Sequence, residues 1–366
     1  MKFIDLKTQY KRIESKIQSG LNHVLEHGQY IMGPEIKTLE KQLADFIGVK
    51  HAIGVGSGTD ALLLALMALG IGKGDEVITV PFSFFATAEM IVLAGATPVF
   101  VDIDPRTYNM DPALIKKAIT SKTKAIMPVG LFGQCPDLDT INAIAKEHNL
   151  YVIEDAAQSF GGTYKGSYSG ALTTIGCTSF YPAKPLGGYG DSGACFTNDD
   201  KLADKMRQLL DHGQDKRYHH SWIGINGRMD SFQAVVLSAK LELLKEELVL
   251  RQQAAKRYDE SLSKIVQTPY IEPFNTSSYA QYTVMLPERD KVQAFLQAEG
   301  IPTMVHYPIP IHLQPAMAYL GLKAGSFSHS EKAASNVLSL PMHPYLTEED
   351  QDKVVQALSR AVTAVA

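Results

Sequence analysis

The chain is 366 residues long, 45% apolar and 20% charged, with 39 acidic against 35 basic side chains and a net charge of -4. That length predicts about two domains, and that balance excludes a surface that binds polyanions through bulk positive charge, so nucleic acid is not an expected partner. The charged start Met1-Lys2-Phe3-Ile4-Asp5 and a longest apolar run of Ala61 to Leu69, short of the ~20 residues that span a bilayer, predict a cytoplasmic protein without membrane contact; Cys135, Cys177 and Cys195 form neither a disulfide framework nor a zinc pair.

Between Asp5 and Gly48 apolar residues recur at helical spacing, first Ile13, Ile17, Leu21 and Val24, then Ile36, Leu39, Leu43 and Phe46, with Gly33-Pro34 between the two sets. Two helices are predicted before the first strand. After Lys50 short runs rich in Val, Ile and Phe alternate with helical stretches. Strands are predicted at 51–55, 76–80, 97–102, 124–129, 150–155, 174–180 and 194–198, with helices opening at Thr59, Phe84 and Pro112. Alternation at this spacing predicts an α/β fold of βαβ units, with a mostly parallel sheet buried on both faces. A long helical pattern begins at Asp230 and runs through Val235, Leu237, Leu241, Leu244 and Leu248 toward Tyr258, a length suited to a bridge between domains. Beyond it come a strand at 280–286, a helix at 290–299, a strand at 302–307 and two or three closing helices. The expected division is a large domain at 1–245 and a smaller α+β domain at 246–366.

Four segments carry chemistry. Ser179-Phe180-Tyr181-Pro182-Ala183-Lys184-Pro185-Leu186-Gly187-Gly188 sets a lysine after a strand, between prolines and glycines. An amine held there is desolvated and its pKa lowered, the condition for forming an imine with a carbonyl; a solvated loop lysine has the same local sequence. Val152-Ile153-Glu154-Asp155 puts a carboxylate at the C-terminal end of a buried strand, the edge where ligands of open parallel sheets bind. Asp155 either pairs with a protonated ring nitrogen or caps the next helix. Gly54-Val55-Gly56-Ser57-Gly58-Thr59-Asp60 follows the first strand and opens a helix, an anion site for one phosphate or an N-capped turn. Thr59 stands where a dinucleotide fingerprint has its third glycine, which weighs against a nicotinamide oxidoreductase. Phe82-Ser83-Phe84-Phe85-Ala86-Thr87 offers an aromatic face at the same edge, for stacking on a planar ring or for the core. A phosphate nest, a stacking ring, a carboxylate for a ring nitrogen and an imine-forming lysine, each after a strand, are together what a pyridoxal phosphate site requires.

With Gly56-Ser57-Gly58-Thr59-Asp60-Ala61-Leu62, Glu154-Asp155-Ala156-Ala157-Gln158, the Ser179 to Lys184 segment and Gly224-Ile225-Asn226-Gly227-Arg228-Met229-Asp230, the chain resembles, over nearly its whole length, the DegT/DnrJ/EryC1/StrS family of nucleotide-sugar aminotransferases. These are pyridoxal phosphate enzymes of aspartate aminotransferase fold type I. The resemblance implies that Lys184 binds the cofactor covalently and shuttles the proton, that Asp155 pairs with the pyridine nitrogen, and that Gln158 lies near the ring and Phe84 stacks on it. It further implies that Thr59 and Ser179 hold the phosphate with the amides around Gly58 and Asp60, and that Asn226 reaches the phosphate of the neighbouring subunit, making a homodimer with shared active sites. The implied reaction moves an amino group from L-glutamate to the ketone of a nucleotide-linked keto-sugar; a lysine at 184 separates the chain from similar 3-dehydratases, which carry histidine there.

Tyr181-Pro182-Ala183-Lys184-Pro185-Leu186-Gly187 is similar to the subgroup acting on UDP-2-acetamido-2-deoxy-3-oxo-glucuronate, in the synthesis of bacterial surface polysaccharide (O-antigen). Other dTDP-3-keto or UDP-4-keto deoxysugars, and a non-catalytic nucleotide-sugar sensor, are the alternatives. A uronate needs a cation, and Arg228 is the candidate, with an ion pair to Asp230 or another interface carboxylate as the other reading. His306 and Tyr307 are candidate contacts to the sugar nucleotide or structural residues, and His312 is expected to be structural. His219-His220 do not easily turn toward one ion, and no metal is assigned.

Overall fold

The computed structural model describes residues 1–365. α1 (Leu6–His27) and α2 (Pro34–Ile47) come first, each stopped by a glycine in the left-handed region, Gly28 at φ 72° and Gly48 at φ 84°. Asp5 caps α1 by accepting from the Thr8 N–H, and Pro34 starts α2 with its φ already set.

The chain then builds a seven-stranded sheet from β1 (His51–Val55), β2 (Glu76–Thr79), β3 (Thr97–Phe100), β4 (Thr123–Ile126), β5 (Tyr151–Asp155), β6 (Ile175–Ser179) and β7 (Gly193–Thr197), in the order β1-β7-β6-β5-β4-β2-β3. All strands run the same way except β7, which is antiparallel to both its neighbours, β1 and β6. α3 (Gly58–Ala68), α4 (Ala86–Leu93), α5 (Pro112–Ala118), α6 (Leu138–Glu147) and α7 (Asp200–Leu209) connect or flank these strands. Ile78, Ala125, Ile126, Ile153 and Ile175 are wholly buried, as near-continuous apolar strands covered on both faces must be.

α8 (Ser231–Leu262) packs its N-terminal half on α1 and α2 and continues past residues 245 and 246 without a break. Its last turns supply Ala254, Tyr258 and Leu262 to a second apolar core, completed by β8 (Tyr282–Met285), α9 (Arg289–Ala298), β9 (Val337–Leu340) and α11 (Glu348–Val365), with α10 (Ser328–Asn336) leading into β9.

Two expected strands are shorter or absent. β4 stops at Ile126 because Pro128 lacks an N–H, although Met127 and Val129 still touch the sheet. The segment 302–307 is not a strand: only Met304 bridges to Ser339, since Pro302 and Pro308 remove donors at both ends. Short pairings at Thr163–Tyr164, Ser167–Tyr168 and Asn275–Thr276, and at Gln214–Lys216 and His219–His220, had no periodicity to announce them.

Candidate active site

The C-terminal ends of β1, β5 and β6 and the loop after β2 meet the second core at one cavity of about 670 Å³. Gly58, Thr59, Phe84, Asp155, Gln158, Ser179, Lys184, His306 and Tyr307 all line it, so nine side chains or backbone positions singled out from distant segments share one space. One end is the start of α3. The Ser57 side chain caps the helix by accepting from the Asp60 N–H at 3.0 Å. A Cβ on Gly58 would lie 2.5 Å from the Ser179 Cβ, so only glycine lets the end of β6 abut the first turn of α3. The result is an open nest of helix N-terminal amides flanked by the Thr59 and Ser179 hydroxyls, the arrangement that takes an anion.

Asp155 ends β5, buried in the cavity floor. Its Oδ2 accepts from Thr87 Oγ1 at 2.8 Å and its Oδ1 from the Ala157 N–H at 3.2 Å. Burial pushes its pKa above the carboxylate range, while the Thr87 and Ala157 hydrogen bonds and the charge of Lys184 pull it back. The Lys184 amine is in the converse state. Desolvation lowers its pKa below the usual lysine range, and the Asp155 charge opposes that. Gln158 accepts from the Phe132 N–H at 2.9 Å and donates from Nε2 to the Tyr307 hydroxyl at 3.0 Å, linking Phe132 to Tyr307 across the cavity. Burial raises the Tyr307 pKa, which keeps it a neutral phenol. His306 Nδ1 lies 2.9 Å from Ser339 Oγ; burial, with the Lys184 charge, lowers its pKa to about 4, so the ring is neutral near pH 7. Phe84 sits at the rim, 56% exposed, its ring 6.0 Å from that of Tyr307.

Asp60, Asn226 and Arg228 lie outside this cavity. Asp60 is on the far side of the capping turn, against the backbone of Gly56. Arg228 does not pair with Asp230: its Nη1 meets Asp211 at 2.7 Å and its Nε donates to Asn226 Oδ1 at 3.0 Å, which presents an exposed Asn226 and a guanidinium together on the surface. His312 is structural, wholly buried and 3.1 Å from Glu331. His219 and His220 turn to different partners, Asp215 and the His212 carbonyl. Among the described residues, His23, His27 and Glu35 gather ligand-type atoms within 4.8 Å, but His27 Nε2 stands 3.0 Å from Glu35 Oε1 as an ordinary contact between a helix C-terminus and a helix N-terminus.

Sequence reasoning missed the role of Thr87, which it placed only in an aromatic stretch, and the closure of the cavity by Phe3 and Ile4 from the chain start. Thr87 lies eight residues after the end of β2, and only the fold brings its hydroxyl to Asp155.

A buried carboxylate whose direct partners are neutral, a desolvated lysine in the same cavity and a helix N-terminal nest that Gly58 lets close against Ser179 suit a ring with a basic nitrogen, an aldehyde and a phosphate. The chain is a pyridoxal phosphate-dependent sugar aminotransferase of fold type I. It belongs to the DegT/DnrJ/EryC1/StrS aminotransferase family, whose pattern matches residues 11–359. It is 57% identical over 347 residues, 94% of this chain and 96% of the other, to the UDP-2-acetamido-2-deoxy-3-oxo-D-glucuronate aminotransferase of Pseudomonas aeruginosa. The crystal structure of a DegT DnrJ EryC1 StrS aminotransferase from Brucella abortus superposes with a TM-score of 0.94 at 46% identity, covering 98% of each chain. NtdA from Bacillus subtilis, solved with bound cofactor PMP, gives a TM-score of 0.90 at 33% identity, covering 99% of this chain and 83% of its own.

Proposed function

We propose that this chain transfers an amino group from L-glutamate to C3 of UDP-2-acetamido-2-deoxy-3-oxo-D-glucuronate, in the cytoplasm, for bacterial surface polysaccharide (O-antigen). The observation that carries the amino-transfer part is the shared cavity of Lys184 and Asp155; the sugar assignment is supported by the 57% identity to an enzyme named for that substrate. When bound, pyridoxal phosphate supplies the aldehyde that takes up the amino group and a ring that delocalises the electron pair left by proton removal.

The chain's residues do the rest. Asp155 would pair with the protonated ring nitrogen, and the Thr87 and Ala157 hydrogen bonds favour its ionised form against burial. The α3 nest, Thr59 and Ser179 would hold the phosphate, and Phe84, at the cavity rim, would stack on the ring. The Lys184 amine, shifted toward its neutral form by burial, takes a proton from the α-carbon of the donor and later delivers one to C3 of the sugar. Neutral His306 and Tyr307 bind the sugar nucleotide from the second domain, residues 246–366.

Asn226 and Arg228 serve the cavity of a second copy in a homodimer, Asn226 at the phosphate and Arg228 at the uronate carboxylate, where Asp211 orients the guanidinium for two-bond pairing. The exposed Trp222 and Ile223 beside them, and the exposed Phe84, Tyr181 and Met304 at the cavity rim, suit burial between two copies. The purified chain, given glutamate and a panel of UDP- and dTDP-keto-sugars, should aminate the keto-uronate in preference, with the product identified by mass and NMR. Reaction only with ketones lacking a carboxylate refutes the substrate.

A further inference from the structure

A lysine is almost never fully buried unless it is paired, yet Lys240 on α8 is 1% exposed, and among the described residues no carboxylate lies within ion-pair distance of it. Its Nζ donates to the carbonyl oxygen of Gly187 at 2.6 Å and stands 4.3 Å from the centre of the Tyr189 ring. Burial lowers its pKa to about 8, with Glu247 opposing that. Gly187 is three residues from Lys184, in the same loop between β6 and β7.

A second side chain on the same face of α8 grips that loop. Gln233, two helical turns before Lys240, accepts from the Tyr189 N–H at 2.8 Å. Cβ atoms on Gly188 and Gly190 would come within 2.7 Å and 2.8 Å of its amide, so the glycines let the loop lie directly on the helix. On the Lys184 side the loop is closed by its own hydrogen bonds, the Lys184 N–H to the Tyr181 carbonyl at 2.8 Å and the Gly188 N–H to the Phe180 carbonyl at 2.7 Å. Lys240 therefore bonds the backbone of the same short, self-closed loop that carries the reacting amine of Lys184, which lines the cavity.

We propose that Lys240 is a positioning residue for the reaction: by holding the Gly187 carbonyl against α8 it sets where the Lys184 amine stands for proton transfer. The inference rests on Lys184 being the proton carrier. A lysine that merely filled the core would contribute to stability and leave the transfer step alone.

The test uses Lys240→Met, which keeps the stem and loses the charge, Lys240→Gln as a second removal should the first not fold, and Lys240→Arg, which keeps a cationic donor. Hydrogen exchange is read on residues 185–190 of the apo and holo proteins. The half-reaction with L-glutamate is followed in single turnover beside 2-deuterio-L-glutamate. Removal should speed exchange in that loop about tenfold or more while the sheet is unchanged. It should slow the half-reaction on the order of ten- to hundredfold, as misplacement near 1 Å does, enlarge the deuterium isotope effect and leave half-saturation by glutamate in place; Lys240→Arg should keep loop protection. Exchange and isotope effect at wild-type values, or a rate loss equal to the unfolded fraction, overturn the inference. Lys184→Ala run in parallel separates the two readings: turnover in that variant removes the premise, whereas a dead Lys184→Ala beside a normal Lys240→Met removes this inference alone.

Discussion

Thr87→Val isolates the support of the buried carboxylate. Valine matches threonine in shape, so the change removes one hydroxyl from a site where Thr87 Oγ1 lies 2.8 Å from Asp155 Oδ2. A hydrogen bond to a charged group is worth about 1.5–3 kcal/mol. Burial already pushes the Asp155 pKa up, and the Thr87 hydroxyl is the first of the groups that oppose it. Losing it disfavours the ionised form by a factor of about ten to a hundred, and a protonated acid cannot balance a cationic ring nitrogen. Apoenzyme titrated with pyridoxal phosphate near pH 7, with absorbance as the readout, should show a dissociation constant raised about ten- to hundredfold, and Thr87→Ser should bind within about threefold of wild type. Because the raised pKa means that Asp155 ionises as pH climbs, the valine defect should shrink toward alkaline pH. Wild-type affinity in Thr87→Val, or an equal defect in Thr87→Ser, refutes the reasoning.

Gly58→Ala places a Cβ 2.5 Å from the Ser179 Cβ; overpacking of about 1–3 kcal/mol at the phosphate nest should weaken cofactor binding about tenfold or more while the second core melts normally, and unchanged binding counts against the nest. Burial raises the Glu154 pKa from an ordinary 4.5 to about 7, against its bonds from Ser169 and Gly170. A group whose pKa rises on folding stabilises fully below its unfolded value and loses that contribution as pH climbs to the folded one. Wild type minus Glu154→Gln, measured by urea unfolding of the apo protein, should therefore fall by about 3 kcal/mol between pH 4.5 and 7; a flat difference contradicts the burial argument. Arg228→Ala should raise KM for the keto-uronate about tenfold or more while leaving a ketone without a carboxylate within about twofold, and equal effects on both sugars would remove Arg228 from carboxylate recognition.

The sheet was legible because its strands are near-continuous runs of Val, Ile and Phe separated by helical periods, a pattern that burial on both faces imposes. The limits of that pattern lie at proline: 302–307 reads as a strand by composition, and missing N–H groups leave one bridge at Met304. Lys184, Asp155, Gly58 and Thr59 were legible since each stands at the C-terminal end of a strand or in the loop or helix that follows it, where topology sends it to one edge. Thr87 was not, because its partner is 68 residues away and no spacing rule links them. Lys240 was hidden for a related reason. Helical periodicity counts apolar positions, and a lysine in an apolar stripe reads as an exposed residue until the loop at Gly187 closes over it. Asn226 and Arg228 stood out as a motif, but a single chain leaves them outside the cavity that the motif was expected to serve.

The central claim is that one amine, that of Lys184, carries the cofactor. Reduction of the holoenzyme with borohydride, followed by digestion and mass spectrometry, tests it most directly. The account predicts a single pyridoxyl-phosphate adduct on the peptide containing Lys184, and none in Lys184→Ala. An adduct on another lysine, or none on any peptide of a cofactor-saturated sample, contradicts it.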